Sequence, residues 1–292
     1  MTTILLFGAT GFLGSQVRDR LAADPRVTRL LCPGRADLDL LAATPAGAAR
    51  MLRAARPAAV LNCVGRMSGG YDELLRGNAM VTAVLVEAIA EAAPGTRFVR
   101  LGSAAEYGPV ERGHSVSEHD SARPTGAYGI SHLAGTQLVE RAAVDGRVDG
   151  ACLRIFNPVG PGITADNVLG RARDLLKRAV SAGAGHIELG PLGAYRDFVD
   201  VRDVADAIVR AAFVPELTER VFNVGSGRAV TVREAVTRLA EAVGFAGEVR
   251  EERPESARSA AVGWSRADIG RAGRVLGWRP GFDLGDSLKA ML

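Results

Sequence analysis

Three glycines stand where a phosphate group could be held. Gly8, Gly11 and Gly14, in GATGFLG, follow the apolar run TILLF (3–7) and precede the amphipathic stretch SQVRDRLAAD. Between a strand and a helix, the first glycine permits a tight turn and the second lets a pyrophosphate approach the backbone. The third lets helix and strand pack closely. Unbonded N–H groups at the helix start, together with the helix dipole, then receive the phosphate charge. Thr10, Phe12 and Leu13 belong to the same turn. The spacing is GxxGxxG, with Ala9 and Thr10 inside the first pair, and a glycine turn without a ligand is the alternative reading.

The end of the next strand bears on which dinucleotide would fit. It reads LLCPGRADLDL, with no acid at its tip and Arg35 just beyond. A guanidinium suits a 2′-phosphate because it donates charge-assisted hydrogen bonds, so NADPH is favoured over NADH. Asp37 contests this if the loop folds back, and Asp39 lies where an acid reaches the adenine amino group. A second chemical feature is AYGISHLAG (127–135), where Tyr128 and His132 stand at the start of a helix. An unperturbed imidazole, with a pKa of about 6.5, is mostly neutral in cytoplasm.

The elements that must position these residues alternate. Strand candidates at 27–32, 58–65, 96–103 and 149–157 are separated by helical patterns at 44–56, 72–93 and 126–145. That order predicts an α/β fold, a doubly wound parallel sheet covered on both faces. After residue 160 the rhythm changes. Helices are expected at 166–183, 201–213 and 231–244, with a short strand at 186–189. The expected organisation is a dinucleotide-binding unit over 1–160, joined in part by 195–227. A smaller substrate-binding lobe takes 161–194 and 228–292, with 163–183 placed as a lid.

Bulk properties exclude several classes. The 292 residues are 47% apolar and 24% charged, with a net charge of +3 and no basic run, so neither nucleic acid nor a membrane surface is an expected partner. No apolar stretch reaches the roughly 18 residues a spanning helix needs, and a strand pattern begins at once, so a cytoplasmic location is expected. The histidines lack metal-ligand spacing, and no metal is expected. Cys32, Cys63 and Cys152 stand apart and read as small buried residues.

Together these segments resemble the extended short-chain dehydrogenase/reductases, the NAD-dependent epimerase/dehydratase group. GATGFLG is similar to the family's glycine motif, RPAAVLNCVG (56–65) to its fourth strand, and Asn78 to an asparagine of the next helix. LGSAAEYG (101–108) carries the serine position at Ser103. LRIFNPVGPG, YRDFVDVRDVADA, FNVGSG and LGWRP resemble later blocks. The resemblance implies that Ser103 and Tyr128 hydrogen-bond a substrate carbonyl and that the tyrosine gives it a proton. A family lysine, four residues after the tyrosine, would hold the nicotinamide ribose and lower the phenol pKa from about 10. His132 stands there instead: able to donate to a ribose, weaker as a charge. The implied cofactor set adds Leu40, Cys63, Val64, Gly65, Asn78, Phe156, Asn157, Pro158 and Val159. The implied substrate set is Met67, Ser103, Ala105, Asn157 and Arg196, the last with a structural arginine as the alternative.

Departures from the family narrow the reaction. Dehydratases place an Asp–Glu pair after the serine position, where this chain has Ala104 and Ala105, with Glu106 one place late. Arg253 is followed three residues later by Ser256, where the family often has aspartate. The expected activity is therefore an NADPH-dependent ketoreductase, working mainly one way. Its expected substrate is an aromatic polyketide (angucyclinone-type) ketone of an antibiotic pathway. A TDP-4-keto-6-deoxyhexose ketoreductase or sugar-nucleotide epimerase, and an NADP(H)-sensing module without turnover, are the alternatives. Homodimerisation through the helices near 72–93 and 126–145 is permitted by their small residues.

Overall fold

The structure, a computed structural model, describes residues 2–252 and 262–292. The chain begins with β1 (Thr3–Phe7), α1 (Phe12–Ala22), β2 (Arg29–Leu31), α2 (Pro45–Ala55) and β3 (Ala59–Asn62). Then come α3 (Tyr71–Leu75), a π turn (Arg76–Met80) and α4 (Val81–Ala92), where the sequence suggests one unbroken helix. β4 (Arg97–Ser103) ends in a 3-10 turn (Ala104–Glu106) and is followed by α5 (Ala127–Val144), β5 (Asp149–Ile155) and β6 (Asn157–Val159). The remaining elements are α6 (Val168–Ala182), β7 (His186–Glu188), β8 (Tyr195–Asp200), α7 (Val201–Phe213), β9 (Val221–Val224), β10 (Ala229–Thr231), α8 (Val232–Val243), β11 (Glu248–Arg250), α9 (Gly270–Leu276) and α10 (Leu284–Lys289).

Six parallel strands form the main sheet, in the order β2-β1-β3-β4-β5-β9. The segment resembling the family's fourth strand is the third strand here, because only β2 lies beyond β1. The order reverses between β1 and β3, the crevice where open α/β sheets bind ligands. Alternation along the strands feeds two cores. Ile4, Leu6, Leu61 and Val99 face α1 and α7, whereas Leu5, Phe7, Val60 and Phe98 face α2, α4 and α5. Sheets of three strands (β10-β8-β6) and two strands (β11-β7) stand beside the six-stranded sheet. α6 buries Leu169, Ala172, Leu176 and Ala179 against α8, so the helical part of 163–183 is a wall of a third core.

Helix limits follow local chemistry. Thr44, Asn167, Asp200 and Thr231 cap α2, α6, α7 and α8 through side-chain oxygens, which satisfies N–H groups that lack an intrahelical partner. Left-handed glycines Gly183 and Gly244 end α6 and α8. Cys32, expected to be buried, is exposed: β2 is a three-residue edge strand and the chain has already left the sheet at that point. Among the described residues no helix is long and apolar enough to cross a membrane.

α1 sits directly on the turn that precedes it. A Cβ at position 14 would overlap the carbonyl oxygen of Gly8, so only glycine allows this seating. Gly14→Val should lift α1 off the turn and destabilise the protein by about 1–3 kcal/mol, the usual range for overpacking. Denaturant unfolding measures this, and an unchanged midpoint would contradict the seating.

Candidate functional site

The carboxyl ends of β1, β3, β4 and β5 bring the chemical residues to one edge of the sheet. At β1, Gly8 has φ +78 and Gly11 is the N-cap of α1, with no side chain capping its first turn. Backbone N–H groups are therefore presented at the start of α1, which the close contact of Gly14 with Gly8 seats directly on the turn, and the turn fits a pyrophosphate. Thr10 is exposed, and Phe12 and Leu13 are half-buried. Beyond β2, Asp37 folds back and its carboxylate accepts the Gly34 N–H at 2.9 Å, while Asp39 accepts the Leu41 N–H at 3.0 Å. Both acids are thus engaged in local turns, and the exposed Arg35 lies in the loop beyond β2.

Ser103 ends β4 and caps the 3-10 turn. Its Oγ accepts the Ala105 N–H at 3.2 Å, which leaves the hydroxyl hydrogen available to a substrate oxygen. Tyr128 lies in the first turn of α5, half-buried. The two elements are in contact. A Cβ on Gly129 would overlap the Ala105 carbonyl, so the bare backbone of Gly129 is what allows the tyrosine's turn to reach the serine's. Glu106, the late acid, is wholly buried: it accepts the Ser103 N–H at 2.9 Å and pairs with Arg154 at 2.8 Å. It ties β4 to β5, and a reacting group would have to displace it. Tyr107 is also spoken for, since its hydroxyl donates to Asn223 at 2.7 Å and burial pushes its pKa up to about 12.

Behind Tyr128 lies a buried polar network that sequence reasoning brought together only in part. Asn78, on the π turn, accepts the Arg66 N–H at 2.7 Å and donates to the Arg66 carbonyl at 3.0 Å and to Ser131 Oγ at 2.9 Å. It pins the loop after β3, with Cys63, Val64, Gly65 and the exposed Met67, against α5. His132 is buried, with its ring 4.6 Å from that of Tyr128 in an edge contact, and its Nδ1 is 3.5 Å from Nη2 of Arg100. Little of the imidazole is left to meet a ribose hydroxyl. Burial, and then the Arg100 charge, holds the imidazole well below its ordinary 6.5, only partly opposed by hydrogen bonding to the Leu101 backbone. His132 is therefore neutral near pH 7. Arg100 was absent from the residues the sequence singles out. Its signal was a charge at an inward position of the strand TRFVRLGS.

The other expected residues are distributed over several elements, β6 and β8 of the three-stranded sheet among them. Leu40, Phe156 and Val159 are core side chains, which leaves their backbone as the part able to face a ligand. Pro158 and Asn157 are half-buried on β6, where Asn157 Nδ2 donates to the Asp197 carbonyl at 3.1 Å. Ala105 is half-buried in the 3-10 turn. Arg196, on β8, is buried and donates to the Tyr195 carbonyl at 2.8 Å, beside a Tyr195–Trp264 pair with rings 5.1 Å apart. Arg253 and Ser256 lie outside the described residues.

The model of the NAD dependent epimerase/dehydratase family matches residues 4–225. The chain is 35% identical to a dTDP-6-deoxy-L-talose 4-dehydrogenase (NAD(P)(+)) of Kitasatospora kifunensis, across 99% of this chain and 94% of that one. It is 27% identical to a GDP-6-deoxy-D-mannose reductase of Pseudomonas aeruginosa, across 99% and 95%. In fold it is similar to RMD from Pseudomonas aeruginosa complexed with NADPH, with a TM-score of 0.86 and 24% identity over 99% of this chain and 97% of that one.

The buried imidazole makes stability depend on pH. Unfolded, it takes a proton near 6.5; folded, it resists until lower pH, so the unfolded state binds more protons below about 6.5 and stability falls as pH falls. The loss attributable to it is up to about 1.4 kcal/mol per pH unit. Melting temperatures at about pH 7.5 and about pH 5.5 should therefore separate less in His132→Gln than in the parent protein. Equal separations would place the imidazole outside the buried network.

Proposed function

The chain belongs to the NAD-dependent epimerase/dehydratase family, and from that footing we propose that it is an NADPH-dependent reductase of a 4-keto-6-deoxyhexose carried on a nucleoside diphosphate. The observation that carries this reading is the contact of Gly129 with Ala105, which sets the first turn of α5, with Tyr128, against the 3-10 turn that Ser103 caps. Proton donors on two adjoining turns suit a carbonyl oxygen that gains negative charge as it is reduced. When bound, the nicotinamide supplies the hydride. The chain's own residues then have three tasks: the glycine turn holds the pyrophosphate, Ser103 orients the carbonyl, and Tyr128 gives up its phenolic proton. Arg35, with Asp37 and Asp39 turned into local hydrogen bonds, favours a 2′-phosphate.

The sugar-nucleotide substrate is supported by the named relatives, both of which act on 6-deoxy sugars of nucleoside diphosphates by name. Dehydration is disfavoured because Glu106 is sealed in its pair with Arg154. An aromatic polyketide ketone, the substrate class first expected, draws support from the half-exposed aromatic surface of Tyr195 and Trp264, which would also accept a nucleoside base.

NADPH oxidation measured against nucleotide-linked 4-keto-6-deoxyhexoses and polycyclic aromatic ketones decides between the two classes. We expect turnover with the former; turnover with only the polycycles would overturn the substrate proposal. NADPH binding without turnover on either would favour the sensing module. Tyr128→Phe should lower kcat by about 10²–10⁴-fold, the usual worth of general acid catalysis. Near-parental activity would mean that the substrate supplies its own proton. Arg35→Ala should weaken NADPH about tenfold or more while barely changing NADH, as loss of a charge-assisted hydrogen bond predicts. Parallel losses for both cofactors would remove Arg35 from the 2′ site.

A further inference from the structure

β4 carries an arginine where its fold calls for an apolar residue. Arg100 lies on the same face as Phe98, beneath α4 and α5, and is 1% exposed. Its guanidinium is held on three sides: Nε donates to Thr82 Oγ1 at 2.9 Å, Nη1 to Thr136 Oγ1 at 3.0 Å and Nη2 to the Asn78 carbonyl at 3.3 Å. The fourth side faces His132 Nδ1. Every one of these partners is neutral. Cys152, close by on β5, does not compensate the charge either, because burial pushes its thiol up to about 11.

Three other buried arginines, Arg97, Arg154 and Arg271, are treated differently. Arg97 pairs with Asp149 at 2.7 Å, Arg154 with Glu106 at 2.8 Å, and Arg271 with Glu219 at 3.3 Å and Glu118 at 3.6 Å. Among the described residues, Arg100 has no carboxylate within ion-pair distance. A buried charge without a counter-ion is strongly disfavoured, and a guanidinium keeps its proton instead of escaping the penalty by neutralising. The fold nevertheless makes room for it, since a Cβ on Gly135 would overlap the guanidinium. One neutral ring separates this cation from Tyr128, because His132 touches both.

We propose that Arg100 is a positioning residue that acts through electrostatics: its uncompensated charge, held behind His132, stabilises the Tyr128 phenolate in place of a cation at position 132. This rests on the reading of Tyr128 as the proton-transfer group. The other charged groups packed around α5 largely cancel. Glu106 and Arg154 form a pair, Glu140 on α5 lies near Arg154 with its pKa raised by burial, and Arg66 pairs with Glu73 at the mouth. With the cation behind it, Tyr128 can take a proton as well as give one, so the site is not confined to reduction.

The chain has four tyrosines, so the phenol can be titrated directly in the protein without cofactor or substrate. The difference in near-ultraviolet phenolate absorbance between the parent and Tyr128→Phe isolates the Tyr128 midpoint. A unit charge at this remove from a phenol shifts its pKa by about one unit. Arg100→Met should raise the Tyr128 midpoint by about that amount, Arg100→Lys should hold it near the parental value, and Arg100→Met/His132→Lys should bring it back down. Arg100→Gln removes the charge with its hydrogen bonding partly kept, and serves if the methionine variant does not fold. A purely structural arginine would leave the midpoint unmoved in the folded charge-removing variants, or would move it equally in Arg100→Lys, and either result overturns the proposal. Because no turnover is measured, an enzyme inactive on every ketone would refute the reductase reading and leave this test standing.

Discussion

Helix α5 can approach the end of β4 only because positions 129 and 135 have no side chains. At Gly129 the helix backbone meets the Ala105 carbonyl, and at Gly135, six residues further on, it meets the Arg100 guanidinium. These contacts fix the helix height and rotation over the strand. The rotation sets the turn that carries Tyr128 against the turn capped by Ser103, while the same rotation turns Ser131 and His132 inward to Asn78 and Arg100. The placement of Tyr128, Ser103 and the buried network thus follows from one packing constraint. A side chain at either glycine would displace them together.

The electrostatics of the edge follow from what that constraint encloses. Glu106 and Arg154 are buried as a pair that also accepts the Ser103 N–H, so their charges hold the strand ends in place. The π turn inserts an extra residue into the helix that begins at Tyr71, and π bulges commonly re-aim a residue at a functional site. Here the re-aimed residue is Asn78, whose amide spans the β3 loop and α5 while its carbonyl accepts from Arg100. Loop, helix and buried cation are therefore coupled through one residue, by its side chain and its backbone carbonyl. Such a network specifies a single arrangement because each unsatisfied member would be costly.

The sequence made legible what depends on local backbone rules. The glycine turn, the alternation of strands and helices, and the limits of the helix expected at 126–145 and found at 127–144 all reflect constraints carried by neighbouring residues. It was poorer where tertiary context decides. The π turn hides within 72–93 because one inserted residue barely disturbs an Ala- and Val-rich pattern. Cys32 looked like a core residue because its strand is apolar, yet the strand lies at the sheet edge and stops one residue earlier. In TRFVRLGS, Arg97 and Arg100 are three apart and so face opposite sides of the sheet. One meets Asp149 and the carbonyls ending α7, the other only neutral groups, and nothing in the strand's own letters distinguishes them.

That distinction alters the meaning of histidine at position 132. Taken alone, a neutral imidazole in place of a lysine removes a positive charge from the neighbourhood of the phenol and leaves a tyrosine better suited to giving protons than to accepting them. In the folded protein the charge has moved from helix to strand. His132 is short enough to leave the space that Arg100 and Gly135 share, and neutral enough not to repel the guanidinium. A lysine at 132 beside Arg100 would set two cations against each other with no carboxylate among the described residues within ion-pair distance of Arg100, which makes the histidine and the arginine alternatives to the same lysine. The pair therefore reads as one substitution distributed over two elements, and the chemistry of the tyrosine is set by where the charge is held as much as by which residue follows it on the helix.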